Sequence, residues 1–581
     1  MTLSRRQLLA GGAVLVAGAA VGLTSRPSVR GVLDSTVRRG ETAVSRRIGP
    51  GAAPPPTSVT ITVDPTRVLR PISPLIYGVA HANPEQLIGL GAQLNRWGGN
   101  PNTRYNWVNS AWNAARDWEF RNYGNDTNKT APPGSATDDF VRDNQSVGVG
   151  TVLTVPAMGW VARNADKQVQ SVGVPSDGGP PLAPAAEAIA GYDPADNRQH
   201  TSAPSFARKN AAFVDAPDQG GGPVYQDEWV HHLVKRHGSA DDGGVRYYVI
   251  DNEPDLWSST HTDVHPVQMS YDQTLATFLD YATAIKSVDP GARVAGPALS
   301  GWTGYFYSAR DRGTDTYRGH ADRQAHGDMP FLPWWLDHVR KHDEQAGARS
   351  LDVLDVHYYP QGANVFGGAD DPYTRALRLR STRSLWDPSY GDESWINDTV
   401  RLIPRMREWI DQYYPGTRLA IGEWNWGAEK TMSGALAIAD VLGIFGREGV
   451  DLASYWTFPP VDSPAAQAFQ LFTRYNDRGD AFGDQAITAS VDTSPDYVTT
   501  YASVDSDTND VVVVAINKRY DVELPASFNF GGISPGSASV YGLSANNTAV
   551  RALGSPAAIN AGLQVNLPPA SLTLVRIARG G

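Results

Sequence analysis

Between residue 76 and about residue 476, short apolar runs alternate with longer segments in which apolar residues recur at helical spacing. The runs are IYGVAHA (76–82), QLNRWGG (93–99), GTVLTVPA (150–157), VRYYVIDN (245–252), RVAGPAL (293–299), VLDVHYY (353–359), RLAIGEWN (418–425) and LASYWTF (452–458). Amphipathic stretches follow several of them, most clearly 271–289 and 397–414. Apolar runs bounded by turn residues and separated by helical patterns predict βα units around a parallel sheet. Eight such units predict an α/β fold, a closed TIM-like (β/α)8 barrel over 76–476. After residue 477 the pattern changes to closely spaced β-rich runs such as VTTYASVD, DVVVVAINK and LTLVRIA, with no helical period between them. This predicts a C-terminal β-sandwich over 477–581, and the early run SVTITVD places a strand in 58–75 that could join it.

The first residues do not follow this rhythm. Arg5 and Arg6 precede a weakly apolar Ala/Gly-rich run, and AGA stands at 17–19. Residues 1–23 therefore read as a twin-arginine export signal, with an uncleaved anchor as the other reading. Residues 24–57, Arg-rich and ending in GPGAAPPPTS, read as a disordered linker. The expected location is secreted or periplasmic, with no lasting membrane partner after processing. A formal net charge of −11 and a pI near 5.6 argue against nucleic-acid partners. The absence of cysteine excludes disulfides, thiolate nucleophiles and Cys-ligated zinc. Sixteen tryptophans supply flat apolar faces that can fill a core or stack on sugars.

In a barrel of this kind the reactive groups gather at the C-terminal strand ends. Here those ends carry Arg96, Asn252 with Glu253, His357 with Tyr359, Glu423 with Asn425, and Trp456. Two carboxyl groups over one cleft suit glycosidic bond cleavage: one protonates the leaving oxygen while the other, ionised, attacks the anomeric carbon. Each biases the other, because a charged Glu423 raises the pKa of a nearby Glu253. Arg96 is expected beside Glu423, Asn252 at a sugar hydroxyl, and Tyr359 on the nucleophile. The bland readings are a solvated loop acid for Glu253, an ion pair with Arg96 for Glu423, a core histidine for His357 and barrel packing for Trp456. Trp97, Trp302, Trp395, Trp424 and Trp426, all in or beside inferred loops, serve either in packing or in sugar stacking.

The blocks LNRWGGNPNTRYNW, VPAMGWVA, VYQDEWVHHLV, DNEPDLWSSTHTDVHP, VAGPALSGW, DVHYYPQ and IGEWNWG run in order from about residue 73 to 460 and resemble glycoside hydrolase family 44. The resemblance implies a (β/α)8-like barrel with a β-sandwich built from both chain ends. It implies a retaining endo-β-1,4-glucanase acting on cellulose derivatives and xyloglucan, with a β-glucan polysaccharide as partner. Glu253 falls at the acid/base, Glu423 at the nucleophile and Trp456 at a sugar-stacking tryptophan. Arg96, Asn252, His357, Tyr359, Trp395 and Trp424 complete the expected substrate-binding set. No cofactor is expected for catalysis. Family members can carry a structural calcium ion, but spacing assigns no metal ligands here. The protein is expected to act as a monomer. The alternatives are another retaining barrel-plus-sandwich glycosidase, such as a xylanase or arabinofuranosidase, and a non-catalytic carbohydrate-binding protein.

Overall fold

The computed structural model describes residues 55–578 apart from 119, 125–130, 166–191, 194–197, 200–201, 220, 532–536 and 560–561. The expected export signal and nearly all of the expected linker lie outside the described residues. By internal packing the described chain divides into two compact units. One holds Leu94–Tyr358 and Arg407–Gly422; the other holds the described part of Leu23–Gln93, with Tyr359–Met406 and Glu423–Gly581.

In chain order the elements used below are strand β1 (Val59–Pro71), β2 (Gly78–Ala80), helix α1 (Pro84–Leu90), β3 (Leu94–Trp97), α2 (Ser135–Ser146), β4 (Gly150–Val155), α3 (Gln226–His237), β5 (Tyr247–Ile250), α4 (Tyr271–Val288), β6 (Arg293–Leu299), α5 (Phe331–Ala346), β7 (Val353–Tyr358), α6 (Leu402–Tyr413), β8 (Arg418–Trp424), α7 (Met432–Glu448), β9 (Leu452–Tyr455) and α8 (Pro464–Thr473). Strands β2 to β9 form a closed parallel barrel in which each neighbours the next in sequence, and β9 pairs with β2. All eight apolar runs are barrel strands. The register of the first unit runs Leu94 opposite Gly150, Tyr247 opposite Val152 and Arg293, and Ala295 opposite Val353. Every residue of β5 and of β7 is buried, as expected of parallel strands covered on both faces. Helix starts follow from the sequence: Ser270 and Gln273 form a reciprocal capping box at α4, and Asn83 with Gln86 does so at α1.

Beyond the barrel the chain continues as β10 (Gln485–Val491), β11 (Val498–Val504), β12 (Val511–Asn517), β13 (Leu524–Phe530), β14 (Ala538–Ser544), β15 (Asn547–Gly554), β16 (Ala557–Ile559), β17 (Gly562–Leu567) and β18 (Ser571–Ile577). These nine strands and β1 form one hydrogen-bonded sheet in the order β15-β14-β18-β12-β11-β10-β1-β13-β17-β16. The sheet curls around a single core. Residues Ile61, Val63, Val513, Phe528, Val565 and Val575, drawn from widely separated strands, pack in one apolar cluster. β1 lies inside the sheet, antiparallel to β10 and parallel to β13.

One buried charge pair in the second unit ties α7 to the sheet. Lys518, just past β12, donates from Nζ to Asp440 Oδ2 at 2.8 Å, and both side chains are almost wholly buried. Asp440 also accepts from the hydroxyls of Thr382, Thr499 and Tyr501 at 2.6–2.7 Å. Burial alone would raise the pKa of this carboxyl; Lys518 and the hydroxyl donors outweigh it and hold Asp440 below its ordinary value.

Candidate active site

In the first unit the site is built at the end of β5. The chain leaves the strand through Asp251 and Glu253, both with positive φ (59° and 47°), so two non-glycine residues occupy the left-handed region. Such conformations cost about 1–3 kcal/mol each and persist where the surroundings over-determine them. Here the surroundings are visible. The Glu253 N–H donates to Ala298 O at 2.9 Å, and the Asp251 carboxyl accepts from the backbone N–H groups of Ala157 (2.6 Å) and Asn252 (2.8 Å). Burial pushes the Asp251 carboxyl up to about 7, against the hydrogen bonds it accepts.

The Glu253 side chain keeps 11% of its surface exposed, and its Oε1 lies 3.0 Å from His357 Nδ1. His357 stands on β7 with its ring fully buried, and its carbonyl accepts a hydrogen bond from the buried Tyr305 hydroxyl. This corrects the expectation that His357 contacts substrate: a ring with no exposed surface cannot touch a sugar, and it meets Glu253 instead. Arg96 is likewise buried, and its Nη2 donates to Asn252 Oδ1 at 2.8 Å. Asn252 Nδ2 donates in turn to Asn100 Oδ1 at 3.3 Å. Arg96 thus bonds the amide of Asn252 from a buried position. Gly98 makes room for it, since a Cβ there would stand 2.5 Å from Arg96 Cζ.

In the second unit the site is built at the ends of β8 and β9. Glu423 is the penultimate residue of β8, and Tyr359, next after β7, donates its hydroxyl to Glu423 Oε2 at 2.9 Å. That bond favours the ionised carboxylate. Trp456 follows β9 directly; it is 8% exposed and meets the His81 ring edge-on at 5.8 Å. Trp395 is 53% exposed, its Nε1 donating to Gln361 Oε1 at 3.0 Å. Trp424 is a second correction. It is completely buried among Phe445, Tyr455 and Phe469, which leaves no face for a sugar. Trp426 is also buried, bonded to Ser381.

The sequence reading missed Glu429. Its largely buried carboxyl, pushed up by burial, accepts from the Tyr455 hydroxyl at 2.7 Å and from Asn425 Nδ2 at 3.2 Å, both on Oε1. Nothing in the loop sequence NWGAE marks it: Asn425 opens the same loop, but Tyr455 reaches it only from the end of β9.

Calcium needs six to eight oxygen ligands. Four buried carboxylates already have charged or imidazole partners: Asp263 is paired with Arg104, Asp138 with His232 and His237, Asp352 with Lys286 and Arg293, and Asp440 with Lys518. Those four carboxylates do not fit a calcium cage.

Comparison with known proteins agrees with this geometry. The sequence profile of Glycoside hydrolase family 44 matches residues 111–362, the stretch that carries Asn252, Glu253 and His357. Endoglucanase A of Paenibacillus lautus is 33% identical over 500 residues, 82% of this chain, and the chain spans just under two thirds (66%) of that protein's length. The crystal structure of CelM2, a bifunctional glucanase-xylanase from a metagenome library, superposes with a TM-score of 0.80 at 38% identity, covering 90% of this chain and 99% of CelM2. A Paenibacillus polymyxa xyloglucanase of family 44, solved with xyloglucan, superposes with a TM-score of 0.79 at 29% identity, covering 90% of this chain and all of that one. Matched by the family's sequence profile over residues 111–362 and in structure over nine-tenths of its length, the chain belongs to glycoside hydrolase family 44.

Proposed function

We propose that this protein is a retaining endo-β-1,4-glucanase that hydrolyses soluble cellulose derivatives and xyloglucan, with Glu253 as acid/base and Glu423 as nucleophile. The observation that carries the reading is the different company the two glutamates keep at the ends of parallel strands β5 and β8. Glu423 accepts a hydroxyl bond from Tyr359, which suits a carboxylate that must stay ionised to attack. Glu253 is enclosed and held by a buried imidazole, which suits a group that gives a proton and later takes one back. In the first step Glu253 protonates the leaving glycosidic oxygen as Glu423 bonds to the anomeric carbon. In the second, Glu253 removes a proton from water as the water displaces Glu423. Two inversions return the starting configuration.

The likeness to a bifunctional glucanase-xylanase favours a second activity on xylan. A panel of carboxymethylcellulose, xyloglucan, glucomannan and arabinoxylan, with oligosaccharide profiling, tests both readings. Internal cleavage of the glucans with β-configured new reducing ends is the expected result. Release of arabinose alone, or initial α anomers, would overturn the proposal.

Trp395 supports an extended grip on the chain. Its half-exposed ring offers an apolar face on which a sugar can stack. Trp395→Ala is expected to raise KM on polymeric substrate by about threefold to tenfold, the scale of about 0.7–1.4 kcal/mol of lost stacking, with kcat and melting temperature little changed. An unchanged KM would remove Trp395 from the binding surface.

The paired arginines Arg5 and Arg6 support export by the twin-arginine route. Replacing both with lysine should leave the activity in the cytoplasm; undiminished secretion of the variant would exclude that route.

A further inference from the structure

We propose that Asn425 is a positioning residue that sets Trp456 as a sugar platform, and that Glu429 in turn sets Asn425. The inference rests on the glycosidase reading above and on Trp456 meeting the substrate.

Asn425 follows β8 directly, and its side-chain amide is fully committed. Its Oδ1 accepts from the Gly427 N–H at 2.7 Å, closing a turn on its own loop. A backbone N–H can only donate, so this contact fixes which end of the amide carries oxygen. Nδ2 must then point the other way. There it donates to the Trp456 carbonyl at 2.6 Å and to Glu429 Oε1 at 3.2 Å. The Trp456 N–H donates to Trp424 O at 3.0 Å, so the backbone of Trp456 is held through both its N–H and its C=O. Tyr455, the residue before it, donates its hydroxyl to the same Oε1 of Glu429 at 2.7 Å. One carboxyl oxygen thus grips the loop after β8, through Asn425, and the end of β9, through Tyr455. Trp456 is the residue both grips bear on.

Stacking on a sugar depends on ring orientation as well as contact, so a platform that can tilt loses affinity while its ring is still present. The arrangement makes a specific demand: removing Asn425 should cost activity only while Trp456 is there to be positioned. Asn425→Ala is expected to lower kcat/KM on xyloglucan about tenfold, mainly through KM, and Trp456→Ala about thirtyfold. The Asn425→Ala/Trp456→Ala double variant should match Trp456→Ala within about twofold, the signature of residues acting through one another. Multiplied losses, of about three hundredfold in the double variant, would overturn the proposal, as would an Asn425→Ala enzyme with wild-type KM.

Should Asn425→Ala fail to fold, Glu429 carries the same test. Glu429→Gln keeps an oxygen for both donors and should retain most activity, whereas Glu429→Ala should raise KM about as much as Asn425→Ala. Equal KM values for the two Glu429 variants would overturn the proposal. A wild-type protein inactive on every β-1,4-glucan would instead fail the functional reading, independently of any variant.

Discussion

Glu423→Ala is expected to lose activity on the order of 10⁵-fold on every substrate, the scale seen when a covalent nucleophile is removed. Good leaving groups should not rescue it, because bond formation to the anomeric carbon is the step that is lost. Glu253→Ala should behave differently. On polysaccharide it should fall by about 10²–10⁴-fold, the usual contribution of a general acid/base. On aryl glycosides whose leaving group needs no proton it should keep much of its first step, and azide should speed the second by replacing activated water. The products separate the roles. Azide displacing Glu423 from the intermediate gives a β-glycosyl azide, whereas azide entering the cavity of Glu423→Ala gives the α anomer. Proton NMR of the two azides decides the assignment, and reversed configurations would exchange the roles of Glu253 and Glu423. Inversion by the wild-type enzyme would end the retaining proposal.

The second large effect is on stability. Lys518→Met is expected to destabilise the protein by about 3–5 kcal/mol, because it leaves Asp440 buried without its counter-charge. That is a large share of the roughly 5–15 kcal/mol that holds an ordinary domain folded. The linkage has a definite sign. Asp440 has a folded pKa below its unfolded value, so the stability it contributes is present above the unfolded carboxylate range near pH 4. It is lost as pH falls through the folded value. Wild type and Lys518→Met should therefore differ most at neutral pH and converge in acid. Denaturant midpoints at pH 7 and pH 3 measure both claims; equal midpoints at pH 7 would show that the pair contributes nothing.

The architecture was readable because parallel strands leave a strong mark: Tyr247–Ile250 and Val353–Tyr358 are buried along their whole length, and they appear in the chain as uninterrupted apolar runs. The glutamates were readable because each breaks such a run at its C-terminal end. Trp424 was misread although its fate was written in the strand. The alternation that points Glu423 and Asn425 to one face turns Trp424 to the other, against Phe445 of α7 and Phe469 of α8. His357 shares the face of Tyr359, and alternation alone does not report depth; the structure puts its ring out of reach of solvent and on Glu253. Glu429 had no local signature at all, since its partners Tyr455 and Asn425 stand 26 and 4 residues away and meet it only after folding.

The place of β1 in the curled sheet has a consequence for the order of assembly. Thr62 pairs with Ser490 on one side and Asn529 on the other, so β1 waits more than 400 residues for both neighbours. At a synthesis rate of about 5–20 residues per second, that interval lasts tens of seconds. Throughout it the apolar side of β1, with Ile61 and Val63, has no native partner. Contacts at such sequence separation form slowly, and exposed strand edges recruit other chains meanwhile. The yield of folded enzyme should therefore be set by how well this strand is shielded during translation, making β1 the place where chaperone capture and aggregation compete.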